Sequence, residues 1–308
     1  MRRRAALALS LLAAALLGAD EPAPAASWSE HYERGRAAFL TSRYDVAEQQ
    51  FRAAAERARH EADAPTKEGD ALLGQARALR HRHRYAEAEE ILRGLAARGE
   101  ADPASERHSD VLATLALVLV DQKRFAEAEP LLEQVLAARS ALHGEDHLLV
   151  AVTWNNLGDV HRGQGRLDEA ERAYRRALEI LGRVGGPGSE RASIALNNLA
   201  LLARERGRPE EAERLHRRAL ELGRAGFGPG DPNVGKFARD LAALYTEQGR
   251  LGPAEEELRV ALRAFSGSLG PEHPETRQTR EALAALLERT GRADEARALR
   301  AEPALPSP

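Results

Sequence analysis

The sequence reads Gly165-Arg166-Leu167-Asp168-Glu169-Ala170-Glu171 near its centre, and similar segments recur at nearly regular intervals along the chain. Each copy has an Arg, followed four residues later by Ala and, in all but the last copy, directly afterwards by Glu. The Ala stands at positions 47, 88, 128, 170, 212, 254 and 296. The interval is 42 residues from position 128 onward and slightly shorter before it. Seven such copies predict seven structural repeats that span residues 28–300.

Each repeat has the pattern of two helices joined by a turn. Trp154, Leu157 and Gly158 fall on one face of a first helix, and Ala170 and Tyr174 fall on one face of a second. Ala, Leu, Arg and Glu dominate the chain and are strong helix formers, whereas aromatic residues make up only 4%. The sequence therefore predicts an all-α solenoid of about seven helical hairpins. We expect the turns near residues 43, 84, 124, 166, 208, 250 and 292.

A second periodic signal separates the repeats. Glycines recur 42 residues apart where each second helix should end, and three residues after each glycine comes a residue that we expect to cap the next helix. The glycines are Gly144, Gly186, Gly228 and Gly270, and the expected capping residues are His147, Ser189, Asp231 and His273. The first two junctions, at residues 60–69 and 98–107, depart from this sequence pattern, so we expect them to be less regular.

The N-terminus has the layout of a secretory signal peptide. Three arginines follow Met1, an apolar run extends from Ala5 to Leu17, and small residues come next. We expect a signal peptide over residues 1–19, with cleavage possibly as late as residue 26, and a Pro/Ala linker over 20–27. The apolar run is shorter than the roughly 20 residues of a membrane-spanning helix. The mature chain is thus predicted to be periplasmic or secreted, without membrane insertion; an uncleaved cytoplasmic protein is the alternative. Residues 301–308 are predicted to form a disordered tail.

Several kinds of chemistry are disfavoured by the sequence. Lys and Arg (45) nearly balance Asp and Glu (48), and this does not favour a nucleic-acid partner. Cysteine is absent, which excludes disulfides and thiol catalysis. Residues 230–236 match a phosphate-loop pattern, but Phe237 follows where Ser or Thr would bind magnesium. His143 and His147 have metal-ligand spacing but lie across a predicted loop. We therefore expect no catalytic residue, no metal site and no cofactor.

The first-helix and second-helix pattern resembles the tetratricopeptide repeat, in which Trp, Leu-Gly, Ala, an aromatic and Ala recur at these offsets. The 42-residue period, the segment His143–His147 and the segment Asn155-Asn156-Leu157-Gly158 look like the kinesin-light-chain subtype. This resemblance implies a right-handed solenoid whose first helices line a concave groove for a peptide or protein partner.

Carried over by position, the resemblance also implies which residues line the groove. Asn and Arg suit this task, because an amide both donates and accepts hydrogen bonds and a guanidinium can clamp carboxylates. The expected groove residues are Asn155, Asn156, Asp159, Arg162, Asn197, Asn198, Arg204 and Arg239. Hydrogen bonding between neighbouring repeats, or simple solvation, is the local alternative for the same side chains.

These observations together predict a non-catalytic scaffold that binds a peptide or protein partner in the concave groove, in the bacterial cell envelope. A cytosolic regulatory helical-repeat protein is one alternative. An accessory subunit of an envelope enzyme or secretion complex is another, and the sequence does not separate it from the first.

Overall fold

The computed structural model describes residues 26–61, 63–98, 105–186 and 189–301. Within these ranges the regular structure consists of fourteen α-helices and no strands, which confirms the predicted all-α class. The helices are α1 (Trp28–Leu40), α2 (Tyr44–Ala58), α3 (Ala64–His81), α4 (Tyr85–Ala97), α5 (Glu106–Asp121), α6 (Phe125–His143), α7 (Leu148–Gly163), α8 (Leu167–Gly185), α9 (Ala192–Glu205), α10 (Pro209–Gly226), α11 (Pro232–Glu247), α12 (Leu251–Leu269), α13 (Pro274–Arg289) and α14 (Ala293–Ala301). None of these helices is long and apolar enough to cross a bilayer. The predicted signal peptide and most of the predicted linker and tail lie outside the described residues.

The helices pair into seven hairpins, α1 with α2 through α13 with α14, as the seven copies of the motif predict. Each second helix packs against its own first helix and against the first helix of the next hairpin. First helices of successive hairpins also touch each other from α1 to α11, whereas second helices make no contact of that extent within the described ranges. The array therefore curves, with its first helices on the inner surface. This is the architecture of an α-solenoid.

Each hairpin turn is closed by the same backbone hydrogen bonds. The N–H of Arg166 donates to the carbonyl of His161 at 2.9 Å, and the N–H of Gly165 donates to the carbonyl of Arg162 at 3.0 Å. The residue before the Arg adopts a positive φ in all seven turns. Glycine holds this position from the fourth repeat onward, and the first three repeats place Ser42, His83 and Lys123 there, with φ of 57°, 59° and 61°. A left-handed residue after a helix end satisfies the last carbonyls of that helix.

Small residues let the helices of a hairpin approach closely. A Cβ added to Gly158 would lie 2.4 Å from Cε1 of Tyr174, whose side chain is fully buried. Ala170 and Ala177 on the same second helix are also fully buried. The aromatic ring of α8 therefore fills the space that the glycine of α7 leaves open, as the small-residue and aromatic pattern predicts.

The Arg and Glu of the repeated motif meet across the repeat boundary. The Arg of each turn pairs with the Glu that follows the motif Ala in the preceding repeat, at 2.6 to 3.4 Å. The six carboxylates are only 2–19% exposed. We call this set the turn ladder; its pairs are Arg84–Glu48, Arg124–Glu89, Arg166–Glu129, Arg208–Glu171, Arg250–Glu213 and Arg292–Glu255. Charge-assisted hydrogen bonds of this kind fix the register between neighbouring hairpins.

Helix starts at the junctions follow the predicted caps with one exception. The side chains of His147, Asp231 and His273 accept a hydrogen bond from the backbone N–H two residues later, at 2.8 to 3.2 Å. The expected cap at Ser189 is wrong, because α9 begins only at Ala192. Glu190 replaces the Pro that follows Asp231 and His273, and residues 189–193 form a turn in which the Ala192 N–H donates to the Ser189 carbonyl at 3.0 Å.

The left-handed turn position offers a direct test of backbone strain. We expect Lys123→Gly to raise the free energy of unfolding by about 0.5–1 kcal/mol, because a side chain with a positive φ costs about 1–2 kcal/mol and the extra chain entropy of glycine offsets part of the gain. Gly207→Ala, at the same position of a later turn, should lower the free energy of unfolding by about 1 kcal/mol. Urea unfolding followed by circular dichroism measures both changes. Equal midpoints for the two variants would contradict this account of the turn.

Candidate functional site

The eight predicted groove residues all lie on first helices, namely α7, α9 and α11. Their exposure differs. Asn197 and Asn198 are buried, with 1% and 5% of their surface exposed. The other six are partly buried. Position on a first helix therefore does not by itself place a side chain in contact with the space that the array encloses.

Asn198 belongs to a polar network between α7 and α9. Its Nδ2 donates to Oδ1 of Asn155 at 3.1 Å and to Oδ1 of Asp159 at 3.2 Å. The Tyr174 hydroxyl also donates to Oδ1 of Asp159, at 2.7 Å. Burial raises the pKa of the Asp159 carboxyl, and the hydrogen bond from Tyr174 partly opposes that rise. The Asn198 amide therefore joins neighbouring repeats, which is the local alternative for this residue.

A second network joins α9, α10 and α11. The Nδ2 of Asn197 donates to Oδ2 of Asp240 at 2.8 Å, so its Oδ1 is left to accept from Nδ1 of His216, also at 2.8 Å. His216 is fully buried. Burial lowers the pKa of its imidazole to about 4. The imidazole is therefore neutral at physiological pH and carries its hydrogen on Nδ1.

The predicted arginines pair with acidic residues of the next repeat. Arg162 lies 2.9 Å from Glu205, and Arg204 lies 3.8 Å from Glu247. Arg239 forms an ion pair with Glu275. These guanidinium groups retain N–H donors that the pairs do not use, but each is held in place by its carboxylate. Contact between the arginines and a partner stays a prediction.

An apolar pocket opens between α7 and α9 and includes two of the predicted asparagines. Its volume is about 330 Å³. Val152, Ile194 and Phe227 supply apolar surface, and Val152 is 41% exposed. Asn155 and Asn156 line the same space. We call it the groove pocket; its lining is Leu148, Ala151, Val152, Asn155, Asn156, Leu181, Arg191, Ile194, Ala195, Phe227 and Asn233.

Asn156 differs from the other three asparagines. No side-chain hydrogen bond of its amide is found within the described part of the chain, whereas Asn155, Asn197 and Asn198 are all hydrogen-bonded to neighbouring repeats. The Asn156 amide can therefore offer two donors and an acceptor to a bound molecule.

Sequence reasoning missed the apolar side of this pocket. Val152 and Ile194 stand three residues before Asn155 and Asn197, and Lys236 occupies the same position of the next repeat. The 42-residue spacing of these three positions is visible in the sequence and could have identified them. Phe227 had no such signal, because it ends α10 and reaches the pocket only through the curvature of the array.

The groups that suggested other chemistry occupy structural positions. The rings of His143 and His147 stack with centroids 4.3 Å apart, and Nδ1 of His147 caps α7. Asp231, within the phosphate-loop-like segment, caps α11. Across the described ranges, no three His, Asp or Glu side chains come together to hold a metal ion.

Comparison with protein families identifies the repeats. Tetratricopeptide repeat profiles match residues 32–105, 108–183 and 190–267. A search of curated proteins finds no match.

Solved structures share the fold at low sequence identity. BtubC (BKLC) from P. vanneervenii is 23% identical with a TM-score of 0.54, over 73% of this chain and 92% of that one. A kinesin light chain with nearly identical repeats from Podosopora anserina is 22% identical with a TM-score of 0.50, over 64% and 92%. A Rap protein complexed with Competence and Sporulation Factor is 16% identical with a TM-score of 0.61, over 86% and 76%. The resemblance to tetratricopeptide repeats is thus confirmed.

The buried His216 predicts a pH-dependent stability. Its pKa is lowered from 6.5 to about 4 in the folded chain, so the unfolded chain binds more protons below pH 6.5 and stability falls as the pH drops. Between pH 7 and pH 4 the free energy of unfolding should fall by about 3 kcal/mol more in the parent than in His216→Gln. Urea unfolding at each pH measures this difference, with His60→Gln, in an exposed turn, as the control. Parallel pH profiles for the parent and His216→Gln would contradict a neutral, buried imidazole.

Proposed function

The chain belongs to the tetratricopeptide repeat family, and from that premise we propose that it is a non-catalytic scaffold that binds a peptide segment of a partner protein on its inner surface. The observation that carries this proposal is the groove pocket. It combines exposed apolar surface at Val152 with the Asn156 amide, which has no side-chain hydrogen bond to any described residue. An extended peptide needs both, because its side chains seek apolar contact and its main chain seeks hydrogen-bond donors and acceptors.

The turn ladder and the inter-repeat pairs support the non-catalytic part of the proposal. Catalysis needs a nucleophile or base that is placed next to an open position for substrate. In the described ranges, the carboxylates of Asp159, Asp240 and Glu275 are already bonded to other groups of the protein. These carboxylates hold neighbouring helices and repeats together, which is consistent with a binding scaffold.

We place this scaffold in the cell envelope, on the strength of the signal-peptide pattern over residues 1–19. A periplasmic or secreted chain without cysteine folds independently of the redox state of its compartment. The partner then determines whether the protein acts as a free adaptor or as an accessory subunit of an envelope enzyme or secretion complex. A cytosolic regulatory role is the competing assignment.

Partner capture tests the groove. Cells that express the tagged full-length protein are crosslinked and fractionated, and the captured proteins are compared between variants. Val152→Arg fills the groove pocket with a charged side chain and should abolish capture. Asn156→Ala should weaken capture about five- to tenfold, since a lost hydrogen bond is worth about 1–1.5 kcal/mol.

Matched controls separate binding from folding in this experiment. Val184→Arg, at a half-exposed valine of α8 outside the pocket, should leave capture unchanged. Asn198→Ala should lower the free energy of unfolding by about 1–2 kcal/mol, because it leaves buried partners on α7 without a donor. Undiminished capture by the folded Val152→Arg variant would refute binding in the groove pocket.

Cell fractionation tests the location. We expect the mature chain in the periplasm or the medium, with an N-terminus that begins after residue 19 or as late as after residue 26. Leu12→Arg interrupts the apolar run and should cause the uncleaved precursor to accumulate in the cytoplasm. A parent protein that retains Met1 and stays in the cytoplasm would favour the cytosolic alternative.

A further inference from the structure

Two parts of the chain that are far apart in sequence face each other across a narrow cleft. Its volume is about 320 Å³. We call it the clasp cleft. Its lining divides into a repeat-2 edge, made of Tyr44, Arg80, His81, His83, Tyr85 and Asp121, and a repeat-6 edge, made of Pro232, Asn233, Lys236, Arg239, Phe265, Leu269, His273 and Glu275. The curved array therefore nearly closes on itself.

The clasp cleft and the groove pocket are neighbours. Asn233, at the start of α11, lines both. Lys236 lies one helical turn further along α11, close enough to Asp159 of α7 to favour the charged form of that carboxyl. The two spaces therefore adjoin at the start of α11.

The strong ion pairs of the cleft lie within each edge. Arg80 pairs with Asp121 at 2.6 Å on the repeat-2 edge, and Arg239 pairs with Glu275 on the repeat-6 edge. No hydrogen bond or ion pair joins the two edges among the described residues. The groups lining the cleft that lie outside these two ion pairs and are positively charged or can gain a proton are the Lys236 ammonium and the histidines.

The imidazoles sit on both sides of the cleft. His83 lies on the repeat-2 edge, with Nδ1 2.6 Å from the Tyr85 hydroxyl. His273 lies on the repeat-6 edge, where its Nδ1 accepts the N–H of Glu275 at 3.2 Å. His81 stacks on Tyr44, with ring centroids 4.4 Å apart, and burial lowers its pKa to about 4. His81 therefore stays neutral, and burial raises the pKa of Tyr85 so that its phenol stays neutral as well.

We propose that the clasp cleft is an acid-sensitive gate to the groove pocket, closed while His273 is neutral and open when this imidazole carries a proton. Protonation places a further positive charge beside Lys236, Arg80 and Arg239, and the carboxylates among the residues that line the cleft are Asp121 and Glu275. The gate rests on the proposed function in one respect, namely that the groove pocket is the site to which it controls access.

The direction of the pH effect follows from His273. Burial lowers the pKa of this imidazole, and His83 on the opposite edge lowers it further, although Glu275 acts against both. The closed form therefore binds protons more weakly than an open form in which the imidazole regains its ordinary pKa of 6.5. Falling pH shifts the population toward the open form, by up to about tenfold for each pKa unit that closure removes.

Distance measurement tests the gate in the full-length chain. Because the sequence has no cysteine, Lys123→Cys and Arg277→Cys introduce the only two thiols for nitroxide labels. Both positions are exposed, and each follows by two residues a carboxylate that lines the cleft, Asp121 on one edge and Glu275 on the other. Double electron–electron resonance at pH 7.5 should give one short distance population, and at pH 5.0 a longer population should grow relative to the short one, by up to about tenfold for each pKa unit that closure removes from His273. Circular dichroism at both pH values confirms that the helices persist.

Substitutions separate the gate from a general effect of acid. His83→Gln combined with His273→Asn, which keeps a capping side chain, should hold the short distance at pH 5.0, whereas His60→Gln should leave the parent's pH response intact. His83→Lys should open the cleft already at pH 7.5; lysine is accommodated at the same turn position in Lys123. Unchanged distances in the parent between the two pH values, together with a short distance in His83→Lys at pH 7.5, would overturn the gate. Partner capture at pH 7.5 reports on the groove pocket separately, so its failure would count against the proposed function and not against the gate.

Discussion

Every repeat of this protein depends on packing that it cannot provide alone. The second helix of a hairpin has an apolar face that is covered only when the first helix of the next hairpin packs against it. Tyr174 of α8 illustrates this, because it shares a buried cluster with Leu199 and Leu202 of α9. A single hairpin would leave that surface in water and would not offset the entropy of ordering its two helices. Stacking is thus the condition for folding, and the shape of the inner surface is its consequence.

Stacking also decides what the polar residues of the inner surface do. Residues 43 positions apart meet on successive first helices, as in Asn155–Asn198, Asn197–Asp240, Arg162–Glu205 and Arg204–Glu247. A buried amide or carboxylate is costly without a partner, so these pairs fix one register between neighbouring repeats. The same residues cannot serve a ligand with the atoms they already use. Within the part of the chain that the structure describes, the Asn156 amide has no such partner, so its donors and acceptor are available to a ligand.

The sequence predicted the repeats and the turns because their periods are local properties of the chain. Residues 42 positions apart lie on the same faces of equivalent helices. Gly-Arg pairs mark the turns, because the residue before the Arg must adopt a positive φ there. The cap at Ser189 failed since a turn precedes α9, which begins only at Ala192, and the periodic pattern concealed this local difference. The roles of Asn197 and Asn198 could not be read from one sequence, since a groove contact and an inter-repeat hydrogen bond use the same face of the same helix. Phe227 and the clasp cleft depend on the accumulated curvature of several repeats, which no single motif encodes.

Accumulated curvature also explains why the clasp cleft is suited to regulation. In a solenoid each repeat contacts only its neighbours, so most interactions respond to a single junction. Several repeat junctions separate the edge that contains His83 from the edge that contains His273, and a small rotation at each of them adds to the width of the cleft. A change of charge at the cleft can therefore alter the curvature of all the repeats between its edges, while each repeat junction rotates only slightly. The groove pocket lies within that same span, on α7 and α9, so a change of curvature that moves the edges apart also changes the surface that a partner meets.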